Sequence, residues 1–259
     1  MIPSWIRAVV RRDLLILRDA PWGPLLTLAS MCLGVLVFGL LGRFVGQGGD
    51  YVTYVLTGIT FLRVTDAIVQ SPGAGLREER SRGSLEGLFD APQYSWALVS
   101  ASAIVPALRC LCEGIFALSL AGSLFHAGIA PGWRGLIAVP VAVGTVLLLA
   151  VATGLFLSAA SLRSRAATAA SSFFGLAIAM TAQVYYPRNA LPSWLQDASR
   201  YSPYTKALEA LRASLTHGKQ LGTSLAITAG SAVIVFVIGA WLMERAVQMS
   251  RQSGAIARG

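Results

Sequence analysis

Residues 136–162 read LIAVPVAVGTVLLLAVATGLFLSAASL, without one charged side chain. Wound as an α-helix at 1.5 Å per residue, this stretch reaches roughly 40 Å, more than the about 30 Å of a bilayer's hydrocarbon core. Charge brackets it on both sides: Arg134 ends the turn Pro131-Gly132-Trp133-Arg134 before it, and Arg163-Ser164-Arg165 follows it. A run this long and this apolar reads as a membrane span, and the remaining sequence is read outwards from it.

Downstream, 166–186 is the next span, with Ser and Ala at its start. A long mixed segment occupies 188–219, a further span 221–243, and a basic tail 244–259. Upstream, 96–130 is a long span that carries Arg109 and Glu113. Residues 51–75 form a span interrupted by Arg63 and Asp66, and 24–43 a first span closed by Gly46-Gln47-Gly48-Gly49-Asp50. Residues 77–93 are too polar for lipid. The expectation is therefore an all-α, polytopic membrane protein, with 1–259 as a single transmembrane domain of six helices.

Composition agrees with this reading. The chain of 259 residues is 55% hydrophobic and only 13% charged, against about 25% charged in soluble domains. A mean hydropathy of +0.63 exceeds what one water-soluble core can hide. The net charge of +9 does not point to nucleic acid, because the basic residues cluster between apolar runs as in cytoplasmic loops. With the N-terminus inside, the inner segments hold Arg7, Arg11, Arg12, Arg18, Arg77, Arg80, Arg82, Arg163, Arg165, Arg245, Arg251 and Arg258. The outer segments hold Arg43 and Arg134, and one loop holds Arg188, Arg200, Lys206, Arg212 and Lys219. Both termini are expected in the cytoplasm.

The first twenty residues contain no apolar core of a cleavable signal peptide. Ile2, Trp5, Ile6, Val9, Leu14 and Leu17 share one broad helical face, and Arg7, Arg11 and Arg18 another. That pattern is an amphipathic helix suited to the membrane interface. Cys32, Cys110 and Cys112 all fall within apolar segments and read as inert buried thiols. His126 and His217 lack neighbours at ligand spacing, and neither H-E-x-x-H nor G-x-S-x-G occurs, so no catalytic or metal site is expected.

Two polar segments stand out. Arg77, Glu78, Glu79, Arg80, Gly83, Ser84, Leu85, Glu86, Leu88 and Phe89 lie in the densest charge cluster, with Leu85, Leu88 and Phe89 at helical spacing. By itself this reads as a solvated loop with ordinary inner-side charges. Further on, Tyr185, Tyr186, Trp194, Tyr201 and Tyr204 alternate with Pro187, Pro192 and Pro203. Such aromatics favour the membrane surface. Pro192-Ser193 and Ser202-Pro203 read as helix starts, giving two short helices at about 191–199 and 203–216.

Together these features resemble the permease subunit of type-2 ABC exporters, the group of daunorubicin-type, nodulation-factor and polysaccharide-export permeases. Glu79 through Gly83-Ser84-Leu85-Glu86 to Ala91-Pro92 is similar to that family's E-x-x-x-G-T-L-E…P loop. Tyr186-Pro187…Leu191-Pro192-Ser193-Trp194-Leu195…Ser202-Pro203-Tyr204…Ala210-Leu211-Arg212 is similar to its F-P…L-P-x-W-L…N-P…a-l-R signature. Ser84, Tyr186 and Ser202 depart from the usual Thr, Phe and Asn.

The resemblance implies a role for each segment. Residues 77–89 would include a coupling helix seated on a separate ATP-binding subunit. The two short helices would be re-entrant elements of an outer gate, with Tyr186, Pro187, Leu191, Pro192, Trp194, Leu195, Pro203 and Arg212 in it. ATP and Mg would be bound by a pair of partner subunits and no cofactor by this chain, which lacks the phosphate-cradling G-x-x-x-x-G-K-[ST]. A second permease subunit, identical or related, would complete the path in the plasma membrane of a bacterial cell. The signature looks closer to the branch that moves a hydrophobic or amphipathic drug or lipid-like molecule, with polysaccharide or glycolipid export as the alternative. A secondary transporter or channel is the rival, favoured by a three-plus-three repeat that is not evident here.

Charges within the spans have two readings. Arg63 and Asp66 are three apart and Arg109 and Glu113 four apart, spacings that put opposite charges on one helix face. They either lock the helices as ion pairs or line a polar path for a substrate headgroup. Ala226 and Gly230 form a small-xxx-small pair that suits close helix packing.

Overall fold

The computed structural model describes residues 4–19, 22–44, 49–81, 95–125, 133–163, 166–186, 191–215 and 221–252, and among them every regular element is an α-helix. In chain order these are α1 (Ser4–Asp19), α2 (Trp22–Phe44), α3 (Gly49–Ser81), α4 (Ser95–Ala101), α5 (Ile104–Phe125), α6 (Trp133–Arg163), α7 (Ala166–Thr181), α8 (Ser193–Tyr201), α9 (Pro203–Leu215) and α10 (Leu221–Gln252).

Among the described residues, five stretches are long and apolar enough to cross a bilayer: Trp22–Gly42, Tyr51–Leu76, Ser95–Phe125, Ile137–Leu162 and Leu225–Met249. The protein is thus multi-pass. Helix α7 has 16 residues, about 24 Å, which falls short of the hydrocarbon thickness by itself. Helix α3 is the opposite case. Its 33 residues reach about 50 Å, so the charged end Arg77-Glu78-Glu79-Arg80 continues as helix past the apolar span instead of starting a loop at 77.

The stretch expected as one span over 96–130 contains the single crossing-length stretch Ser95–Phe125, but its helix is interrupted. Helix α4 stops at Ala101 and α5 starts at Ile104, with a turn closed by Ala103 N donating to Ser100 O at 3.1 Å. Pro106 is the cause: it has no N–H for the carbonyl of Ser102, and its ring crowds that carbonyl. The backbone N–H of Ser95, one of the orphan donors at the start of α4, finds the Glu244 carboxylate of α10 at 3.2 Å. Residues 126–130 lie outside the described residues.

Helix α6 is the centre of the bundle and packs most extensively on α10 and α3; α3 in turn packs on α5, and α9 wedges between α6 and α10. The largest apolar cluster joins Phe61 of α3, Leu149 of α6, Ile178 of α7, Tyr204 and Leu208 of α9, and Ala232 of α10. Buried hydroxyls turn back on their own helices: Thr57 donates to Thr53 O, Thr153 to Leu149 O and Ser158 to Gly154 O, at 2.7–2.9 Å. Donors so placed need no water. Conversely, Leu26, Leu33, Val37 and Leu40 of α2 and Val233, Ile234 and Val237 of α10 are exposed on the protomer, as lipid-facing surface must be.

Close helix approach falls at a different residue from the sequence expectation. Gly230 has open space around it. It is at Gly239 that α10 meets α6, where an added Cβ would come within 2.6 Å of the Ala152 carbonyl oxygen. We expect Gly239→Val to destabilise the purified protein by about 1–3 kcal/mol through overpacking, read as a lower midpoint of thermal unfolding in detergent. Gly230→Ala should leave that midpoint unchanged or raise it.

Candidate functional site

Helix α7 ends abruptly. After Thr181 the chain unwinds, and Gln183 takes a positive φ of 57° that a non-glycine residue adopts rarely. Unwinding frees the carbonyls of Thr181, Gln183, Val184 and Tyr186, and no lipid can satisfy them. Side chains from α3 and α9 do so. Thr205 Oγ1 donates to Thr181 O at 2.8 Å, and the Tyr54 hydroxyl donates to Gln183 O at 3.0 Å and Tyr186 O at 3.3 Å.

Arg212 supplies the rest. Its Nη1 donates to Gln183 O at 3.2 Å, and its Nη2 reaches Tyr54 O at 2.9 Å, Gln183 O at 3.2 Å and Val184 O at 3.3 Å. The guanidinium carbon lies 3.5 Å above the Tyr54 ring centroid, a cation–π contact. Gly58 makes room for this: a Cβ there would collide with the Val184 carbonyl and stand 2.8 Å from Arg212 Nη2. A planar fork of five donors suits carbonyls that converge from two chain segments.

The two short helices hang from this knot. Helix α9 begins at Pro203, whose missing N–H costs nothing at a first helical position. Tyr204 is buried; its hydroxyl bonds Thr153 of α6, and its ring stands edge-on to Phe61. The connecting helix α8 is tied back by Gln183 Nε2 donating to Ser199 Oγ at 3.2 Å. Leu195 is buried beneath α8, whereas Trp194 and Tyr186 are exposed. Gln196 Nε2 donates to Leu191 O at 2.7 Å, and Leu195 N to Pro192 O at 3.0 Å, which shapes the start of α8.

The charges within the spans separate into two cases. Arg109 and Glu113 of α5 form an ion pair, Nε to Oε1 3.4 Å, though without hydrogen-bond geometry, and Glu113 is buried. Arg63 and Asp66 do not pair with one another. Arg63 donates to Ser30 Oγ of α2 at 2.8 Å, while Asp66 faces Gly175 of α7, its Oδ1 2.9 Å from where a glycine Cβ would stand. Three residues turn a helix by 300°, so the two side chains diverge by about 60° and each meets a different neighbour. Both are exposed on the protomer, near the middle of the span Tyr51–Leu76.

Of the remaining sequence candidates, Arg77, Glu78, Glu79 and Arg80 belong to the end of α3. Gly83, Ser84, Leu85, Glu86, Leu88, Phe89 and Pro187 lie outside the described residues. Sequence reading missed Tyr54, Gly58, Gln183, Thr205 and Ser30. A polar Gln183 late in an apolar run was the one signal available for the unwound turn.

Removing the guanidinium strands several carbonyls at once. We expect Arg212→Ala to lower stability in lipid nanodiscs by about 3 kcal/mol. Arg212→Lys should recover little of it, since an ammonium neither forks nor stacks. Thermal unfolding of the three proteins in the same lipid checks this; a lysine variant as stable as the native protein would contradict the role assigned to the fork.

The described geometry accords with one known family. The model of the ABC-2 type transporter family matches residues 5–216, from α1 to the end of α9. No curated protein matches the chain. The match covers most of the sequence and includes both the short helices and the knot that holds them, so the chain belongs to the ABC-2 type transporter family, whose members are membrane permease components of ABC transporters.

Proposed function

We propose that this chain is the permease half of an ATP-driven exporter that moves a hydrophobic or amphipathic small molecule outward. One observation carries the reading: the match to the ABC-2 type transporter family runs through α1–α9, and in this reading the energy of nucleotide hydrolysis enters from a separate ATP-binding subunit pair. ATP and Mg belong to those partners. Two copies of the permease, or two related chains, form the path, because a single bundle packed around α6 is small for one.

Helix α7, with the turn after it, serves in this reading as a shortened fifth span, which makes six and brings both termini to the cytoplasmic side of a bacterial plasma membrane. The basic residues support that orientation. Helix α1 lies in the inner interface, supported by the exposure of Leu14, Leu15 and Ile16. The projecting end of α3 leads into the coupling segment 77–93. At the opposite end, α8 and α9 act as re-entrant parts of an outer gate, supported by the unwound turn and the polar knot beneath them.

For the charges, the buried Arg109–Glu113 pair supports a locking role. Exposed Arg63 and Asp66 at mid-span support a wall of the path, since a charge facing lipid at that depth costs about 2.5–3.5 kcal/mol. The polysaccharide or glycolipid branch and an ATP-independent transporter are alternative outcomes of the tests.

Two measurements follow. Affinity purification from the native host should bring down an ATPase bearing a Walker A motif, and the charge reversals Glu78→Lys with Glu79→Lys should release it while the permease stays folded. A chain that transports after reconstitution alone, with no ATPase bound, would overturn the exporter reading. At equal expression, Arg63→Ala and Asp66→Ala should reduce ATP-dependent export from loaded cells more than Arg109→Ala with Glu113→Ala does. The reverse order would place the path along α5.

A further inference from the structure

Between α3, α5, α6 and α9 of the protomer lies a cavity of about 400 Å³. Its wall draws on positions 57–64 of α3, 111–122 of α5 and 139–147 of α6, with Leu211 and Leu215 of α9 as its roof. These positions lie in the half of the bundle where α3 begins, α5 ends and α6 begins, so the cavity sits at the depth of one leaflet. Eleven residue steps along α5 are about 16 Å, and one leaflet's hydrocarbon is about 15 Å deep.

The lining has little to offer a polar ligand. Thr57 and Ser119 spend their hydroxyl protons on Thr53 O and Ile115 O of their own helices, at 2.7 and 2.8 Å. Thr60 presents its methyl to Gly114. The remaining contributors are Val, Leu, Ile, Phe and Gly. A cavity of about 150 Å³ lined in this way already takes benzene, and this one is far larger. It is also not sealed: Ile115, on its rim, is 66% exposed on the protomer. In a bilayer, an outward-facing rim at that depth meets hydrocarbon.

We propose that this cavity is a binding site for one acyl chain of a membrane phospholipid, which enters sideways past Ile115 and lies along α5 beneath α9. The chain stays with the protomer as a packing element under the short helices. The site is built from a single protomer and does not depend on what the transporter carries.

Gly122 offers a clean way to close the site. It lines the cavity and has open space around its Cβ position, so a large side chain there fills the void without displacing backbone. The test uses the full chain in nanodiscs of phosphatidylethanolamine and phosphatidylglycerol, doped with a phosphatidylethanolamine that carries a diazirine midway along one acyl chain. Irradiation and peptide mass spectrometry should find adducts on Leu147 and Leu211, half-buried residues of the cavity wall. Gly122→Trp should lose those adducts and keep the ones on Val233, Ile234 and Val237 of the exposed α10 face. Val143→Phe, which fills the same space from α6, should do likewise if the tryptophan variant fails to fold. Absence of adducts on Leu147 and Leu211 in the native protein would overturn the proposal, leaving the void to another segment or a second copy. So would adducts there that survive both fillings.

Discussion

A backbone carbonyl in hydrocarbon must find its donor inside the protein, and the organisation of this bundle follows from that demand. Continuous helices meet it automatically. The difficulty is concentrated at the end of α7, where residues 182–186 leave the helix and the carbonyls of Thr181, Gln183, Val184 and Tyr186 need outside donors. Arg212, Tyr54 and Thr205 provide them. Because those donors sit on α3 and α9, satisfying the turn fixes three elements relative to one another. The short helices are thereby held by directional polar bonds as well as by apolar contact.

Apolar burial has less to do between helices here than in water, since lipid tails solvate leucine as well as another helix does. Fit and close approach take over. Gly58 admits the Val184 carbonyl and Arg212 to the surface of α3, Gly154 admits Pro72, and Gly239 brings α10 onto the backbone of α6. Hydroxyls in the spans bond back to their own carbonyls, so they pack as small side chains. Around Gly122 of α5, whose Cβ position has open space, packing is incomplete and the cavity remains.

Helix α3 connects the regions that matter. Tyr54 and Gly58 meet the knot at one end, Arg63 and Asp66 stand near its middle, and Arg77 to Arg80 close the far end beyond the apolar span. A single helix of about 50 Å joins the short-helix layer to the charged end. Pro72 within it is tolerated against Gly154, where the two helices touch.

How much of this was legible in the sequence depends on the kind of force involved. Membrane insertion and helical class depend on solvation, and solvation is additive along the chain: 136–162 announces itself by composition alone. Pro203 as a helix start rests on local chemistry, so it too was readable. Which charges meet was not. Arg63 and Asp66 have suitable spacing, but a 60° divergence on α3 sends one to Ser30 and the other toward Gly175. Nor could Gly239 be told from Gly230 as the contact glycine, or Tyr54 and Gln183 be named as the partners of Arg212. Those outcomes depend on how helices distant in the chain are rotated against each other, and rotation is set by the summed packing of all of them, which no local window of sequence contains.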